Sequence, residues 1–147
     1  TNAVMGGEMS GHIFINHDWY GFDDAIFSAV ILTKIITDLD VSISELVNKI
    51  PSTHSTPELN LDVKDEEKFN MVEKFKSEME FPNADINTID GVRISINNSW
   101  ALMRASNTSP KLVLRFEGDT EDNLNQIKNL FENNFLKIFP DIKLDYH

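Results

Sequence analysis

Seven residues from Arg104 to Pro110 carry the side chains best suited to bind an anion. The stretch reads Arg-Ala-Ser-Asn-Thr-Ser-Pro and holds a guanidinium, an amide and three hydroxyls, with no carboxylate. A guanidinium offers a planar set of donors that matches a phosphate. Alternating apolar residues on both sides predict two strands, with this stretch as the loop between them. We predict a phosphate-binding loop; an ordinary polar connection is the alternative. The candidate ligands are Arg104, Ser106, Asn107, Thr108 and Ser109.

A second polar stretch, Gly6-Gly7-Glu8-Met9-Ser10-Gly11-His12, lies near the start of the chain. Its glycines allow a tight turn and a close approach to a ligand. Glu8, Ser10 and His12 alternate, so in an extended loop their side chains point the same way. A carboxylate, a hydroxyl and an imidazole on one side can bind sugar hydroxyls and move protons. The alternative is a hairpin whose polar residues are incidental.

The elements around the first loop predict a complete small α+β domain. Residues 57 to 140 follow the order β-α-β-β-β-α, which favours an antiparallel four-stranded sheet with two helices on one face. Asp65 is predicted to cap the first of these helices and Thr120 the last. The apolar face of the first helix is predicted to be Phe69, Val72, Phe75 and Met79, and that of the last Leu124, Ile127, Phe131, Phe135 and Ile138.

The first fifty residues predict a smaller α/β arrangement. Apolar residues from Asn2 to Met5 and from Ile13 to Ile15 indicate two strands on either side of the glycine loop. A helix is predicted to start at Asp23-Asp24, and it is apolar on several sides, so it is expected to be buried on several sides. Ser42-Ile43-Ser44-Glu45 is a capping box that predicts a short second helix.

The segment from Pro51 to Pro57 is the best linker in the chain, because two prolines enclose a polar run. We predict one domain over residues 1–50, a linker over 51–57 and a second domain over 58–147.

Composition narrows the classes of partner. The chain has 147 residues, a net charge of −11 and no cysteine. An acidic chain repels nucleic acid and anionic membranes, so we expect neither as a partner. No apolar run approaches the roughly 20 residues of a membrane span, and the start Thr1-Asn2-Ala3 predicts no signal peptide. The absence of cysteine is compatible with a cytoplasmic location. The spacing of the four histidines predicts no metal site in this chain.

With both loops identified, the chain resembles the α-D-phosphohexomutases over nearly its whole length. The stretch from Gly7 to His12 is similar to the sugar-recognition loop of that family, and the stretch from Arg104 to Pro110 to its phosphate-binding loop. Further similar segments are Gly21-Phe22-Asp23-Asp24-Ala25-Ile26, Ser55-Thr56-Pro57-Glu58, Asp90-Gly91-Val92-Arg93 and Leu112-Val113-Leu114-Arg115-Phe116-Glu117.

The resemblance implies that this chain is the end of a four-domain enzyme. Residues 1–50 would be the tail of the third, sugar-binding domain. Residues 58–147 would be the fourth, phosphate-binding domain, whose fold resembles the TATA-box-binding protein. Family members carry a phosphorylated serine in the first domain and bind Mg²⁺ through an aspartate-rich loop in the second. Neither motif is present here, so the expected partners include the missing N-terminal domains, and no cofactor is expected on this chain.

The resemblance also implies an activity and a role for each candidate residue. The family interconverts hexose 1-phosphate and hexose 6-phosphate, of mannose or glucose, through a phosphoserine and a bisphosphorylated sugar. Glu8 and Ser10 would bind sugar hydroxyls, His12 would bind the sugar or act as a general acid or base, and the loop after Arg104 would hold the non-reacting phosphate. The fragment alone is expected to be inactive.

Two further expectations remain open at this point. A stand-alone module that binds an anion or a phosphosugar without catalysis would also explain the Arg104 loop. The apolar helix in residues 1–50 needs a partner surface, so a homo-oligomer through this region is a second hypothesis.

Overall fold

The computed structural model describes residues 3–8 and 10–146. Two sequence predictions therefore lie partly outside the described residues. They are the strand that begins at Asn2 and the glycine loop that contains Met9. The chain divides into two compact units, Thr1–Pro51 and Ser52–His147.

The first unit contains one hairpin and two helices. Strand β1 (Met5–Gly7) pairs antiparallel with β2 (Ile13–Ile15). The predicted first strand is thus shifted toward the glycines, which form its end. Helix α1 (Ala25–Leu39) starts after Asp24, whose side chain accepts a hydrogen bond from the Phe27 amide at 2.9 Å.

The capping box at Ser42 forms as predicted. Helix α2 (Ile43–Val47) starts there: the Ser42 hydroxyl accepts from the Glu45 amide, and the Glu45 carboxylate accepts from the Ser42 amide at 2.7 Å. The hydrogen bonds from Ser42 lower the pKa of Glu45, which keeps the box charged. The helix ends at Val47 and is short, as predicted.

Helix α1 does not have the burial that its sequence predicts. None of its residues is buried in this chain. Ile26 is 81% exposed and Val30 is 57% exposed. These apolar side chains are therefore in contact with solvent. The expectation of burial on several sides is therefore wrong for this helix, whose side chains are at most half-buried.

The second unit is built on an antiparallel sheet, as predicted. Its long strands are β4 (Leu59–Asp62), β6 (Val92–Ile96), β7 (Ser99–Ala105) and β8 (Lys111–Gly118). Two short strands, β3 (His54–Ser55) and β5 (Asp85–Asn87), lie at the edges. Strands β3 and β4 both pair with β8, and the order continues through β7 and β6 to β5. The sheet thus has six strands and not four, because short edge segments also pair.

Two helices cover one face of this sheet and complete the predicted α+β fold. Helix α3 (Lys68–Glu78) and helix α4 (Glu121–Ile138) pack on the central strands. The core between them combines aliphatic residues with phenylalanines: the ring centroids of Phe75 and Phe131 are 5.0 Å apart, and those of Phe116 and Phe131 are 5.3 Å apart. Burial of these apolar side chains stabilises the domain.

The start of α3 differs from its prediction. Helix α3 begins at Lys68, and Asp65 does not cap it. Asp65 instead lies 2.7 Å from the Lys68 ammonium. Phe69 is 54% exposed, and Met71 takes its predicted place in the core. The apolar periodicity of the segment fits either side chain, and the packing of α3 on β7 and α4 decides between them.

The start of α4 and the turn beside it agree with the sequence. Thr120 caps α4 as predicted, with its side chain accepting from the Asn123 amide at 3.1 Å. The Asn97-Asn98 turn has positive φ at both residues, as a tight hairpin requires. Hydrogen bonds from the side chains of Asn123 and Asn98 lower the pKa of Asp119, which joins this turn to the helix start.

Among the described residues, no helix is both long enough and apolar enough to span a lipid bilayer.

Candidate phosphosugar-binding loops

Strand β7 places Arg104 on the open face of the sheet. The strand extends to Ala105, so Arg104 belongs to the strand and the loop proper starts at Ser106. The prediction that Arg104 is a loop residue is therefore wrong. Successive side chains of a strand alternate between faces. Met103 and Ala105 enter the core, and Arg104, with 35% of its side chain exposed, points away from it. Pairing with Val113 of β8 fixes the backbone from which the guanidinium extends.

Ser106 organises the loop that follows. Its side chain is buried, and its hydroxyl oxygen accepts hydrogen bonds from the amides of Thr108 at 3.3 Å and Ser109 at 3.2 Å. The Ser106 amide donates to the Lys111 carbonyl at 3.0 Å, and the Lys111 amide donates to the Ser109 carbonyl at 2.9 Å. The loop is thus a closed hydrogen-bonded turn and not a loose connection.

The tip of this loop presents polar groups to solvent. Asn107 and Thr108 are exposed, and the Thr108 and Ser109 hydroxyls lie 3.5 Å apart. Amide and hydroxyl groups of this kind donate hydrogen bonds to phosphate oxygens. The five predicted phosphate ligands therefore fall into three groups: a strand cation, a buried organiser in Ser106, and an exposed tip.

Asp90 and Gly91 lie beside Arg104, and the sequence did not single them out for the site. An Asp90 carboxylate oxygen is 3.9 Å from a guanidinium nitrogen of Arg104. A Cβ added to Gly91 would lie 2.2 Å from the Met103 carbonyl oxygen and 2.7 Å from the Arg104 Cβ, and Gly91 has a positive φ of 72°. The turn can approach the arginine this closely only because residue 91 is glycine. In the sequence this pair stands out only as part of the Asp90-Gly91-Val92-Arg93 segment that resembles the family.

In the first unit, the three predicted sugar-binding side chains do come together. The Ser10 hydroxyl donates to a Glu8 carboxylate oxygen at 3.0 Å and lies 3.0 Å from His12 Nδ1. That nitrogen is 3.3 Å from the same Glu8 oxygen. Backbone bonds close the loop: the Glu8 amide donates to the His12 carbonyl, and the Gly11 amide donates to the Glu8 carbonyl. Gly11 has φ of 92°, which favours glycine there.

Asp23 completes this cluster from the start of α1. Its carboxylate lies 3.9 Å from His12 Nε2 and accepts a hydrogen bond from the Ile13 amide at 3.3 Å. The sequence placed Asp23 only as a helix-start charge. Its position against the imidazole depends on how α1 follows the hairpin, which residue types alone do not indicate. All four side chains are exposed or half-exposed, so a ligand can reach them.

Within residues 3–8 and 10–146, no group of three His, Asp or Glu side chains has the arrangement of a metal site. The described residues therefore do not fit the Mg²⁺ that the resemblance implies.

Comparison with known proteins assigns both units to one family. The family model described as "Phosphoglucomutase/phosphomannomutase, C-terminal domain" matches residues 58–133, and "Phosphoglucomutase/phosphomannomutase, alpha/beta/alpha domain III" matches residues 1–54. The chain belongs to the phosphoglucomutase/phosphomannomutase family.

Individual relatives agree with this assignment. A phosphomannomutase/phosphoglucomutase of Pseudomonas putida is 44% identical over 99% of this chain and 32% of its own length. A phosphoglucomutase of Neisseria meningitidis is 42% identical over 90% of this chain and 29% of its own length. A solved structure of a family member from Burkholderia thailandensis aligns with a TM-score of 0.85 at 35% identity, over 98% of this chain and 30% of the other. The chain thus spans about a third of the length of these relatives.

Proposed function

We propose that this chain supplies the sugar-binding and phosphate-binding loops of a phosphohexomutase. The observation that carries the proposal is the Ser106-organised turn beside the strand-held Arg104, in a chain of this family. The relatives are named for mutases that act on phosphomannose and phosphoglucose. The complete enzyme would interconvert hexose 1-phosphate and hexose 6-phosphate of mannose, glucose or both. Family membership favours this proposal over a stand-alone anion-binding module.

In this proposal the phosphate loop holds the phosphate that is not reacting. Arg104 donates charge-assisted hydrogen bonds, and Asn107, Thr108 and Ser109 add neutral donors at the tip. Ser106 fixes the turn through its oxygen and keeps its own hydroxyl proton for donation. Holding and orienting the substrate is a large part of what a phosphoryl-transfer protein contributes.

The loop around Glu8 would hold the sugar. Glu8 accepts from the sugar's O3 and O4 hydroxyls, and Ser10 both donates and accepts. Binding would replace the mutual hydrogen bonds that these side chains make in the free chain. His12, flanked by the carboxylates of Glu8 and Asp23, is the proposed proton donor or acceptor for a sugar hydroxyl.

The phosphoryl donor in this proposal is a serine in another part of the full-length protein. Its phosphate would pass to the substrate to give a bisphosphorylated sugar, and the substrate's other phosphate would return to the serine. Mg²⁺ would bind there too, through residues that this chain does not contain. We accordingly expect the 147-residue chain alone to show no mutase turnover of glucose 1-phosphate, and turnover by the pure chain would contradict the division of roles.

The apolar side chains of α1 require a covering surface in this account. In the full-length protein the segment before residue 1 would supply it. In the isolated chain we propose that a second copy does, because exposed large apolar side chains along one helix favour association.

The proposed location of the enzyme is the cytoplasm, on the basis that the chain contains no cysteine.

The direct test of the phosphate site compares two arginines on the same sheet. Arg104→Met removes the proposed ligand, and Arg93→Met removes an equal charge from the neighbouring strand β6, where Arg93 stacks on Trp100 at 4.7 Å. Calorimetric titration with inorganic phosphate should show affinity lowered about tenfold or more by Arg104→Met, the effect of one lost charge-assisted hydrogen bond. Equal affinities for the two variants would contradict the site.

A further inference from the structure

Lys68 is a buried cation that the proposed function does not yet use. Its side chain is only 4% exposed, at the first turn of α3. A buried ammonium is unfavourable unless charged and polar partners surround it. Lys68 Nζ has an Asp65 carboxylate oxygen at 2.7 Å and lies 5.2 Å from the centre of the Phe69 ring. Its charge is therefore already balanced by a neighbour on its own segment.

The remaining partner of Lys68 lies in the phosphate loop. Its ammonium donates a hydrogen bond of 3.1 Å to the carbonyl oxygen of Ser109, 41 residues away in the sequence. The same carbonyl accepts from the Lys111 amide. The Ser106 bonds to Thr108 and Ser109 are local, within three residues. Lys68 thus joins the loop to a separate, core-packed helix.

We propose that Lys68 is a positioning residue for phosphate binding. It ties the Ser106–Ser109 turn to α3 through the Ser109 carbonyl, so that the turn presents its donors in one arrangement to an incoming phosphate. Because Asp65 balances the Lys68 charge, the effect is geometric and does not come from a contact with the ligand. This inference rests on the proposed phosphate-binding function.

Helix α3 also offers a matched control. Lys74 Nζ donates to the carbonyl oxygen of Ile138 at 3.3 Å and lies 5.1 Å from the centre of the Phe139 ring. Lys74, on the same helix, shares with Lys68 a bond to a carbonyl and a contact with an aromatic ring, but it is exposed and its partners are at the end of α4. Replacing either lysine with methionine removes one charge and one bond to a carbonyl, and Lys68→Met also removes the ion pair with Asp65.

The experiment measures two quantities for the wild-type chain, Lys68→Met and Lys74→Met. The first is the affinity for inorganic phosphate, which should fall about fivefold or more in Lys68→Met and stay unchanged in Lys74→Met. The second is amide hydrogen exchange without ligand, which should speed up about tenfold at Ser109 and Lys111 in Lys68→Met only. A purely structural role would change exchange throughout the core and would not be confined to the loop.

The two proposals can fail separately in this design. If the wild-type chain does not bind phosphate, the proposed function fails, and loop exchange still decides the role of Lys68. If the wild-type chain binds phosphate and all three proteins bind it equally, the positioning role is overturned while the function stands. Should Lys68→Met not fold, Lys68→Gln takes its place, since its shorter neutral side chain remains polar but does not reach the Ser109 oxygen.

Discussion

At the scale of single residues, the proposed phosphate site depends on backbone as much as on side chains. Arg104 is presented by a paired strand, Ser106 accepts two amides of its own loop, and Gly91 leaves space for the arginine's backbone. Only the exposed tip resembles a flexible loop. The backbone that carries the donors is therefore largely fixed before a ligand arrives, which lowers the conformational entropy lost on binding.

Gly91→Ala should weaken phosphate binding without touching the ligand. The new Cβ would lie 2.2 Å from the Met103 carbonyl oxygen, and alanine is disfavoured at a φ of 72°. We expect a loss of stability of about 1–3 kcal/mol together with weaker binding, because Arg104 must move. Urea unfolding and phosphate titration measure the two effects.

Gly6→Ala is the matched control, since nothing lies within 4 Å of an added Cβ there. A Gly91→Ala variant with wild-type phosphate affinity would show that the close approach does not position Arg104.

At the scale of elements, two strands and two helices support the phosphate loop: α3 contacts it through Lys68, and α4 lies behind its strands. Strands β7 and β8 flank it, and α4 packs on both strands through Ile127, Phe131 and Phe135. The start of α4 lies at the other end of β8 from the loop. Stability contributed at that helix start should therefore be separable from phosphate binding.

Thr120→Ala should lower stability and leave binding unchanged. It removes the acceptor of the Asn123 amide at the start of α4, which costs about 1 kcal/mol in typical helices. The midpoint of urea unfolding should fall accordingly, and the phosphate affinity should match the wild-type value. Thr120→Ser, which keeps the hydroxyl, should restore the midpoint. A change in affinity of Thr120→Ala would indicate that α4 and the loop are coupled.

The elements of the second unit were predictable because their signals are local. Alternation from Val92 to Ile96, the Asn97-Asn98 turn and the Thr120 cap each determine structure within a few residues. The Asp65 cap was a local prediction and is wrong, whereas two other errors depended on distant partners. Arg104 extends β7 because Val113 pairs with it, and β3 forms because β8 offers a free edge. Such pairing is not encoded in the segment itself.

The candidate sites were predictable only as lists of residue types. Alternation predicts that Glu8, Ser10 and His12 share one side of an extended loop. The structure brings them within hydrogen-bonding distance through a turn, which is closed by the bond from the Gly11 amide to the Glu8 carbonyl. Three neighbours were missed: Asp23, Asp90 and Lys68. Each comes from a different segment of the chain. Lys68 follows three acidic residues, and such a run of charges is typical of a solvent-exposed helix face.

At the scale of the whole molecule, α1 exposes large apolar side chains that a stable free chain would bury. The relatives of this chain are about three times as long. Their additional segments are a source for the surface that would pack on α1. The second unit, which carries the proposed phosphate site, has a core of its own, and the first unit, which carries the proposed sugar site, leaves its apolar helix without buried residues.

Val30→Asp should prevent self-association of the isolated chain. Val30 is 57% exposed on α1, and a charge there opposes burial against a second copy. Sedimentation velocity should show the wild-type chain associating at high concentration and the variant remaining a monomer. Leu136→Asp, on the partly exposed side of α4, should behave like the wild type. A wild-type chain that stays monomeric would remove the self-association proposal.

The central claim is that the Arg104–Ser109 segment binds the phosphate of a hexose phosphate. The most direct measurement is a residue-resolved NMR titration of the chain with mannose 6-phosphate, with mannose as the ligand that lacks only the phosphate. We expect mannose 6-phosphate to change the amide chemical shifts of residues 104–109 first, and mannose to leave these chemical shifts unchanged. Absence of these shifts at millimolar mannose 6-phosphate, or equal shifts with mannose, would contradict it.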